Sequence, residues 1–280
     1  RGLGEGPVFA PFYVTRARLA ERAEVLEPVR DLRHAVALAP QTRILHVYLV
    51  QALQDRGRWD EALDAVGPAC ARFPGDFNLA LLKARALIHL DRGVEAAAIL
   101  GDIQVLPSEN ARESHQLWAQ AHTLAALDDL ESGKTDRAVS HLRSALEWPE
   151  SLGQGRPYEP EERLARFLLA VAAAGNGPPA RDEWDLVIPP SALSAPATRL
   201  DLLSVAALGA VRPGDLGAIP ARAPGTSEAA RAVRRLAEAM AHGEALPDLA
   251  RALGQEYPSL FEDVEGRLIL RALRLGLGAR

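Results

Sequence analysis

The amino-acid sequence predicts an all-α protein built from helical hairpins that repeat along the chain, regular at first and degenerate towards the C-terminus. Three observations carry this. The composition favours helix, since Ala, Leu, Arg and Glu lead the helix-propensity ranking. Aromatics are only 5% of the 280 residues, and all but two of the 32 basic residues are arginine, the exceptions being Lys83 and Lys134. Small residues keep a fixed spacing: Ala62 and Ala96 stand 34 residues apart and Ala138 comes 42 later, while Pro40, Pro74, Pro107 and Pro149 are separated by 34, 33 and 42. Finally, Gly57, Gly93 and Gly133 punctuate the helical patterns where a hairpin has to turn.

Residues 1–42 read as an N-terminal helical pair, with Ala35 and Pro40 in phase with the later repeats. Three repeats fill 43–152. In the first, 43–76, Gly57 closes one helix, Arg58-Trp59-Asp60-Glu61 opens the next, Ala62 and Ala69 lie inward, and Pro74 stops the helix by lacking a donor. The second, 77–110, has Ala84 and Ala96 at the small positions and Gly93 at the turn. The third, about 119–152, has Ala126, Ala138 and Ala145, with Gly133 at the turn. Two helices approach closely only where small side chains meet, which explains alanine at those sites. A 34-residue period of two helices resembles the tetratricopeptide repeat, and the resemblance implies a right-handed α-solenoid. Val50 stands at a usually small site, Ile103 replaces the third Ala of repeat two, and Asp129 stands where an aromatic is usual. Eight extra residues between Pro107 and Leu117 enter either as a loop or as a longer first helix.

From 153 to 280 the pattern stays helical and loses its period, giving degenerate repeats and capping helices. Residues 149–160 read as a Gly- and Pro-rich connection. Pro160 is then expected at a first helical position with Glu161 and Glu162 in the first turn, in a helix running to about Ala174 and ended by Gly175-Asn176-Gly177. A short helix at Ala180–Val187 and another near Ala197–Val211 come next, then an irregular stretch at 212–225. Thr226 is expected to cap a helix that stops at His242-Gly243, Pro247 to start one more, and Ser259 to cap the last. That last helix carries Leu260, Val264, Leu268, Ala272 and Leu275 on one stripe. Arg267, Arg271 and Arg274 lie opposite, on a face expected to be solvated.

Several function classes are disfavoured. A net charge of −5 argues against a nucleic-acid binder, which needs surplus cations for phosphates. The one cysteine, Cys70, permits no internal disulfide and no cysteine-rich zinc site, and reads as a small buried hydrophobe. No apolar run approaches the roughly 18 residues of a membrane span, the best being Leu202 to Val211, so no membrane partner is expected. With no basic-then-apolar leader, the protein is expected to be cytoplasmic. The chain starts Arg-Gly-Leu-Gly and its single methionine is Met240, from which we expect a piece of a longer protein or a processed product.

Searching for chemistry returns little: no phosphate loop followed by Lys, no His-Glu-x-x-His and no Gly-x-Ser-x-Gly. The acidic pairs Asp128–Asp129, Glu161–Glu162 and Asp182–Glu183 have no fixed separation and suit a helix surface. His115 and His122 are seven apart and can share a helix face, with His141 on the next helix, but no carboxylate completes a ligand set. No catalytic residue, metal or cofactor is expected. The loop with Gly153, Gly155, Arg156 and Tyr158 offers backbone amides and a cation to an anion or a sugar hydroxyl; its other reading is a connector packed over repeat three.

Three segments resemble one bacterial subgroup more closely. They are Val8-Phe-Ala-Pro-Phe-Tyr-Val-Thr-Arg-Ala17, Ile103-Gln-Val-Leu-Pro107 and Trp148-Pro-Glu-Ser-Leu-Gly-Gln-Gly-Arg-Pro-Tyr-Glu-Pro-Glu-Glu-Arg-Leu164. They are similar to the C-terminal tetratricopeptide module of large bacterial proteins whose N-terminal part is a β-rich domain of unknown function, resembling β-sandwiches of carbohydrate-active proteins. The likeness covers about residues 5–175 and implies no catalytic residues here. It implies a concave groove lined by first helices: Val47, Gln51, Gln54 and Asp55 in repeat one; Asn78, Leu81, Arg85 and His89 in repeat two; Gln120, Thr123, Leu127 and Glu131 in repeat three. Chaperone-binding members grip a terminal carboxylate with Lys and Asn. Val47 and Gln51 stand here instead, so an internal peptide or a neighbouring domain of the same chain suits the groove better. The groove is otherwise left to solvent or filled by the C-terminal helices. The expected function is a non-catalytic module for protein–protein or interdomain contacts. The alternative is a helical domain that helps shape the substrate cleft of a larger carbohydrate-active enzyme.

Overall fold

A computed structural model of the chain describes residues 9–20, 28–107, 112–173, 184, 186–189, 195–222 and 225–276. Among them every regular element is helical and no strand occurs, so the protein is all-α. The helices are α1 (Ala10–Ala20), α2 (Pro28–Leu38), α3 (Arg43–Gln54), α4 (Trp59–Arg72), α5 (Phe77–His89), α6 (Gly93–Gly101), α7 (Arg112–Glu131), α8 (Thr135–Ala145) and α9 (Arg163–Ala173). After these come α10 (Asp201–Val211), α11 (Glu228–Ala241), α12 (Leu246–Glu256) and α13 (Val264–Leu275). None of the described helices is long and apolar enough to cross a membrane.

The chain divides into two compact units, Arg1–Trp118 with Pro149–Gln154, and Ala119–Trp148 with Gly155–Arg280. The division falls within the third hairpin, inside α7. α7 is 20 residues long, against 12 and 13 for α3 and α5, and its first five residues fall in the inserted stretch, of which 108–111 lie outside the described residues.

The periodicity of the sequence is repeated in the hairpin turns. At the three regular hairpins an N–H donates five residues back, Arg58 to Leu53 O at 2.9 Å, Arg92 to Leu87 O at 2.8 Å and Lys134 to Asp129 O at 2.7 Å; Glu244 donates to Ala239 O in the same way at 3.1 Å, outside the period. The preceding residues, Gly57, Asp91 and Gly133, are left-handed, with φ of 67°, 56° and 72°. This is a Schellman closure, which satisfies carbonyls at the end of a helix. The next residue in each case takes nearly one conformation, with ψ of 63°, 59° and 62° at Arg58, Arg92 and Lys134. Gly93 is therefore not the turn residue of repeat two. Asp91 occupies the Gly57 frame and bears the left-handed strain, while Gly93 opens α6 and is buried. Aspartate tolerates that region better than most residues.

Small residues fill the hairpin contacts. Ala62, Ala69, Ala84, Ala96, Ala126 and Ala138 are fully buried, and Val50 takes the small site of α3 with equal burial. In the first unit α1 packs on α2, α2 on α3, α3 on α4 and α5, and α5 on α6. Their core joins Val50, Leu53, Ala62, Val66 and Leu79.

In the second unit α10 is the innermost helix, with Asp201 to Leu208 buried without a break; it packs on α9, α11 and α13. Its buried Asp201 is well satisfied: Oδ2 accepts from Ala197 N, Thr198 N and Thr198 Oγ1, and Oδ1 accepts from Arg163 Nη1 at 2.8 Å.

Several element boundaries differ from expectation for local reasons. α9 starts at Arg163, leaving Pro160, Glu161 and Glu162 in the connection, where both carboxylates pair with arginines, Glu161 with Arg163 and Glu162 with Arg156 and Arg166. α10 starts at Asp201, and 212–225 is largely ordered: a 3₁₀ turn at Pro213–Ala218 and a short helix at Ile219–Arg222. Proline needs no donor at the start of such a turn. Ser227 rather than Thr226 caps α11, accepting from Ala230 N, and Asp263 rather than Ser259 caps α13, accepting from Gly266 N. Ser259 lies in the preceding 3₁₀ turn and bonds Glu228. The stop at His242-Gly243 stands, with Gly243 at φ 86°. Arg271 is not on a solvated stripe: its guanidinium holds Asp128 at 2.6 Å and Glu131 at 2.8 Å, tying α13 to the end of α7. Those carboxylates, with burial opposing them, drive its pKa upward. Gly175-Asn176-Gly177 lies outside the described residues. So does most of Ala180–Val187, of which Trp184, Leu186 and Val187 are helical.

Candidate functional site

The most site-like feature of the first unit lies where α1 meets α3. Tyr48, Gln51 and Asp55 recur at helical spacing and so share one stripe, which continues past the end of α3. Facing them, Val14, Ala17 and Arg18 come from α1. Between the two helices is an open cavity of about 210 Å³, floored by Val14, Ala17, Leu32 and Ala52 and rimmed by Arg18, Tyr48, Gln51 and Asp55. Arg18 lies over the Tyr48 ring, 4.9 Å from its centre, and donates from Nη2 to Tyr48 Oη at 2.6 Å. Asp55 forms no ion pair with the described residues. A cavity this size is below the roughly 300 Å³ at which small-molecule pockets begin and suits a single side chain.

A polar row runs onward from that stripe. Gln54 Nε2 donates to Leu82 O at 2.7 Å, Gln54 Oε1 accepts from Arg85 Nη1 at 3.3 Å, and Arg85 pairs with Glu113 on α7. Burial pulls the Arg85 guanidinium below its usual range and Asp55 acts in the opposite sense. The row links the first helices of consecutive hairpins through side chains of different type, so no residue repeat announces it.

The expected groove residues divide into two sets. Gln51 and Asp55 are exposed, and Asn78, Leu81 and Arg85 are half-buried beside one another on α5. Val47 and Gln54 are instead buried, because α3 is enclosed by α2, α4 and α5. His89 stacks on Trp59 with ring centres 3.5 Å apart. Thr123 and Leu127 are buried within α7, Gln120 is half-buried, and Glu131 is held by Arg271. Arg18, Tyr48 and the α1 floor escaped sequence reasoning. The signal was present: Val14 and Ala17 stand 34 residues before Tyr48 and Gln51, so the repeat frame extended backwards reaches them.

The connecting loop divides between the units. Gly153 caps a 3₁₀ turn (Glu150–Leu152) at φ 70°, and a Cβ there would lie 2.8 Å from Val105 O; its N–H is used by Glu150 O. It is therefore a packing glycine. In the second unit Gly155 is exposed in open space, Arg156 donates to Glu162 at 2.7 Å, and Tyr158 is 99% exposed. No convergent donor set forms among these described residues.

Of the three histidines, two meet. His122 Nδ1 and His141 Nδ1 are 3.1 Å apart, so one ring donates and the other accepts. His141 Nε2 lies 3.9 Å from Asp129 Oδ2, and Arg137 and Lys134 approach the same carboxylate at 3.4 and 3.8 Å. Asp129 is buried where repeats one and two carry Leu53 and Leu87, and these cations are its counterpart. Burial, then the neighbouring His141, pushes His122 down to about 4, so it is neutral at pH 7. No group of three metal-ligating side chains occurs among the described residues. Cys70 is half-buried, and burial raises its thiol pKa.

No protein-family model matches the chain, and no curated protein aligns with it significantly.

Proposed function

We propose that the protein is a tetratricopeptide-type helical-repeat module, a right-handed solenoid in its regular part, whose first helices form a groove for an extended segment of a partner protein or of the same chain. The observation that carries this reading is that Schellman-closed turns recur at Gly57, Asp91 and Gly133 with the same gaps of 34 and 42 residues as the buried Ala62, Ala96 and Ala138. On α3 and α5 that frame leaves Gln51, Asp55, Asn78, Leu81 and Arg85 accessible along the α1–α3 cavity and the Gln54–Arg85–Glu113 row. Mixed polarity over rigid helices suits recognition of a peptide backbone with a few side-chain anchors. The groove is confined to the first two or three hairpins, because Thr123, Leu127 and Glu131 are engaged internally.

The test is to pan a random twelve-residue peptide library against the immobilised protein and to measure Kd for the enriched peptides with wild type and Leu81→Glu. Enriched peptides that bind wild type and lose at least tenfold with Leu81→Glu would support the groove. Enrichment no greater than on bare matrix, or binding indifferent to Leu81→Glu, would refute it.

A further inference from the structure

We propose that the cavity between α1 and α3 takes one apolar side chain of an extended peptide carrying an acidic residue on one side and a basic residue on the other, held by Arg18 and Asp55. This deepens the groove reading above and rests on it. The cavity floor of Ala17, Leu32 and Ala52 is apolar and its volume of about 210 Å³ excludes a drug-sized ligand while admitting a leucine-sized side chain. The rim carries opposite charges at opposite ends. Arg18 is fixed over Tyr48, and its guanidinium spends one donor on Tyr48 Oη, leaving others for a carboxylate. Asp55 stands at the carboxyl end of α3, where the helix dipole adds to its attraction for a cation. Arg85, which acts on Asp55 electrostatically, is itself engaged by Glu113 and Gln54.

The spacing then selects the ligand. Tyr48 and Asp55 are seven residues apart on one helix, which at 1.5 Å per residue is about 10 Å. A free zwitterionic amino acid cannot bridge that distance. In an extended peptide alternate side chains point the same way, and four residues span about 13 Å. The pattern acidic-x-apolar-x-basic therefore turns all three side chains to the protein, and the flexible ends of the charged side chains absorb the difference.

Four fluorescein-labelled peptides provide the test: glutamate-serine-leucine-serine-arginine between glycines, the same with two glutamates, the same with two arginines, and the first with serine for leucine. Anisotropy on the full chain is expected to show the mixed-charge leucine peptide binding about fivefold more tightly than either same-charge peptide, as rim ion pairs of ordinary strength predict. Arg18→Glu should move the preference to the two-arginine peptide and Asp55→Lys to the two-glutamate peptide; both positions are solvent-facing, so folding is retained. Equal affinities for all four peptides, or preferences unmoved by the two substitutions, would overturn the proposal. If library peptides bind and respond to Leu81→Glu while Arg18→Glu and Asp55→Lys change nothing, this proposal falls and the groove stands. If no library peptide binds, both fall.

Discussion

The buried imidazole pair makes stability depend on pH in a definite direction. His122 titrates at about 4 in the folded protein against an ordinary value of 6.5, because burial and the adjacent His141 disfavour its charged form. The unfolded chain binds the proton more tightly, so the contribution is complete above pH 6.5 and is lost as pH falls towards 4. A shift of this size corresponds to about 3 kcal/mol in full, of which about 2 kcal/mol is lost between pH 7 and pH 5. The perturbation is His122→Leu, which removes the titrating ring and keeps an apolar side chain in the site. Urea unfolding followed by circular dichroism at pH 7 and pH 5 gives four stabilities, and the difference of differences cancels the titrating groups that do not touch His122. Wild type is expected to lose about 2 kcal/mol more than the variant on acidification. Ring-proton titration by NMR should place the His122 midpoint near 4. Equal pH dependence in the two proteins, within about 0.5 kcal/mol, or a midpoint near 6.5, would refute the reasoning.

Other substitutions test the packing. Ala96→Leu should cost about 1–3 kcal/mol by overpacking the α5–α6 contact, whereas Ala98→Leu on the exposed face of the same helix should be near neutral; urea midpoints decide. Gly153→Ala combines a left-handed backbone with a Cβ 2.8 Å from Val105 O and should lose about 1–3 kcal/mol. Gly57→Ala, with the same backbone sign but nothing nearer than 3.9 Å, should lose only about 1 kcal/mol. Asp201→Ala removes the acceptor at the start of α10 and one of the two carboxylates on Arg163, which keeps Glu161, and should cost about 1–3 kcal/mol, read as a lowered thermal midpoint.

How far the fold and the site can be read from the sequence depends on where the constraints act. Helix identity and hairpin turns were legible because alanine and proline spacing is imposed locally, and Ala62, Ala96 and Ala138 are buried as that spacing requires. The turn of repeat two was misplaced because Gly93 drew attention from Asp91, although the 34-residue frame aligns Asp91 with Gly57. Caps at Ser227 and Asp263 were missed in favour of neighbouring hydroxyls, a choice that depends on backbone geometry at one residue. The site was less legible than the fold. That Val47 and Gln54 are buried depends on the N-terminal pair and α5 enclosing α3, a long-range effect with no local sequence signal. Arg271 looked like a solvated arginine because its partners, Asp128 and Glu131, lie 140 or more residues earlier.

The central claim is that first helices, and not second helices, form the recognition face. Hydrogen–deuterium exchange of the full chain with and without the mixed-charge leucine peptide tests it most directly. Slowed exchange is expected in residues 10–20, 43–54 and 77–89, with 59–72 and 93–101 unchanged. Slowing confined to 59–72 and 93–101, or no slowing at saturating peptide, would contradict it.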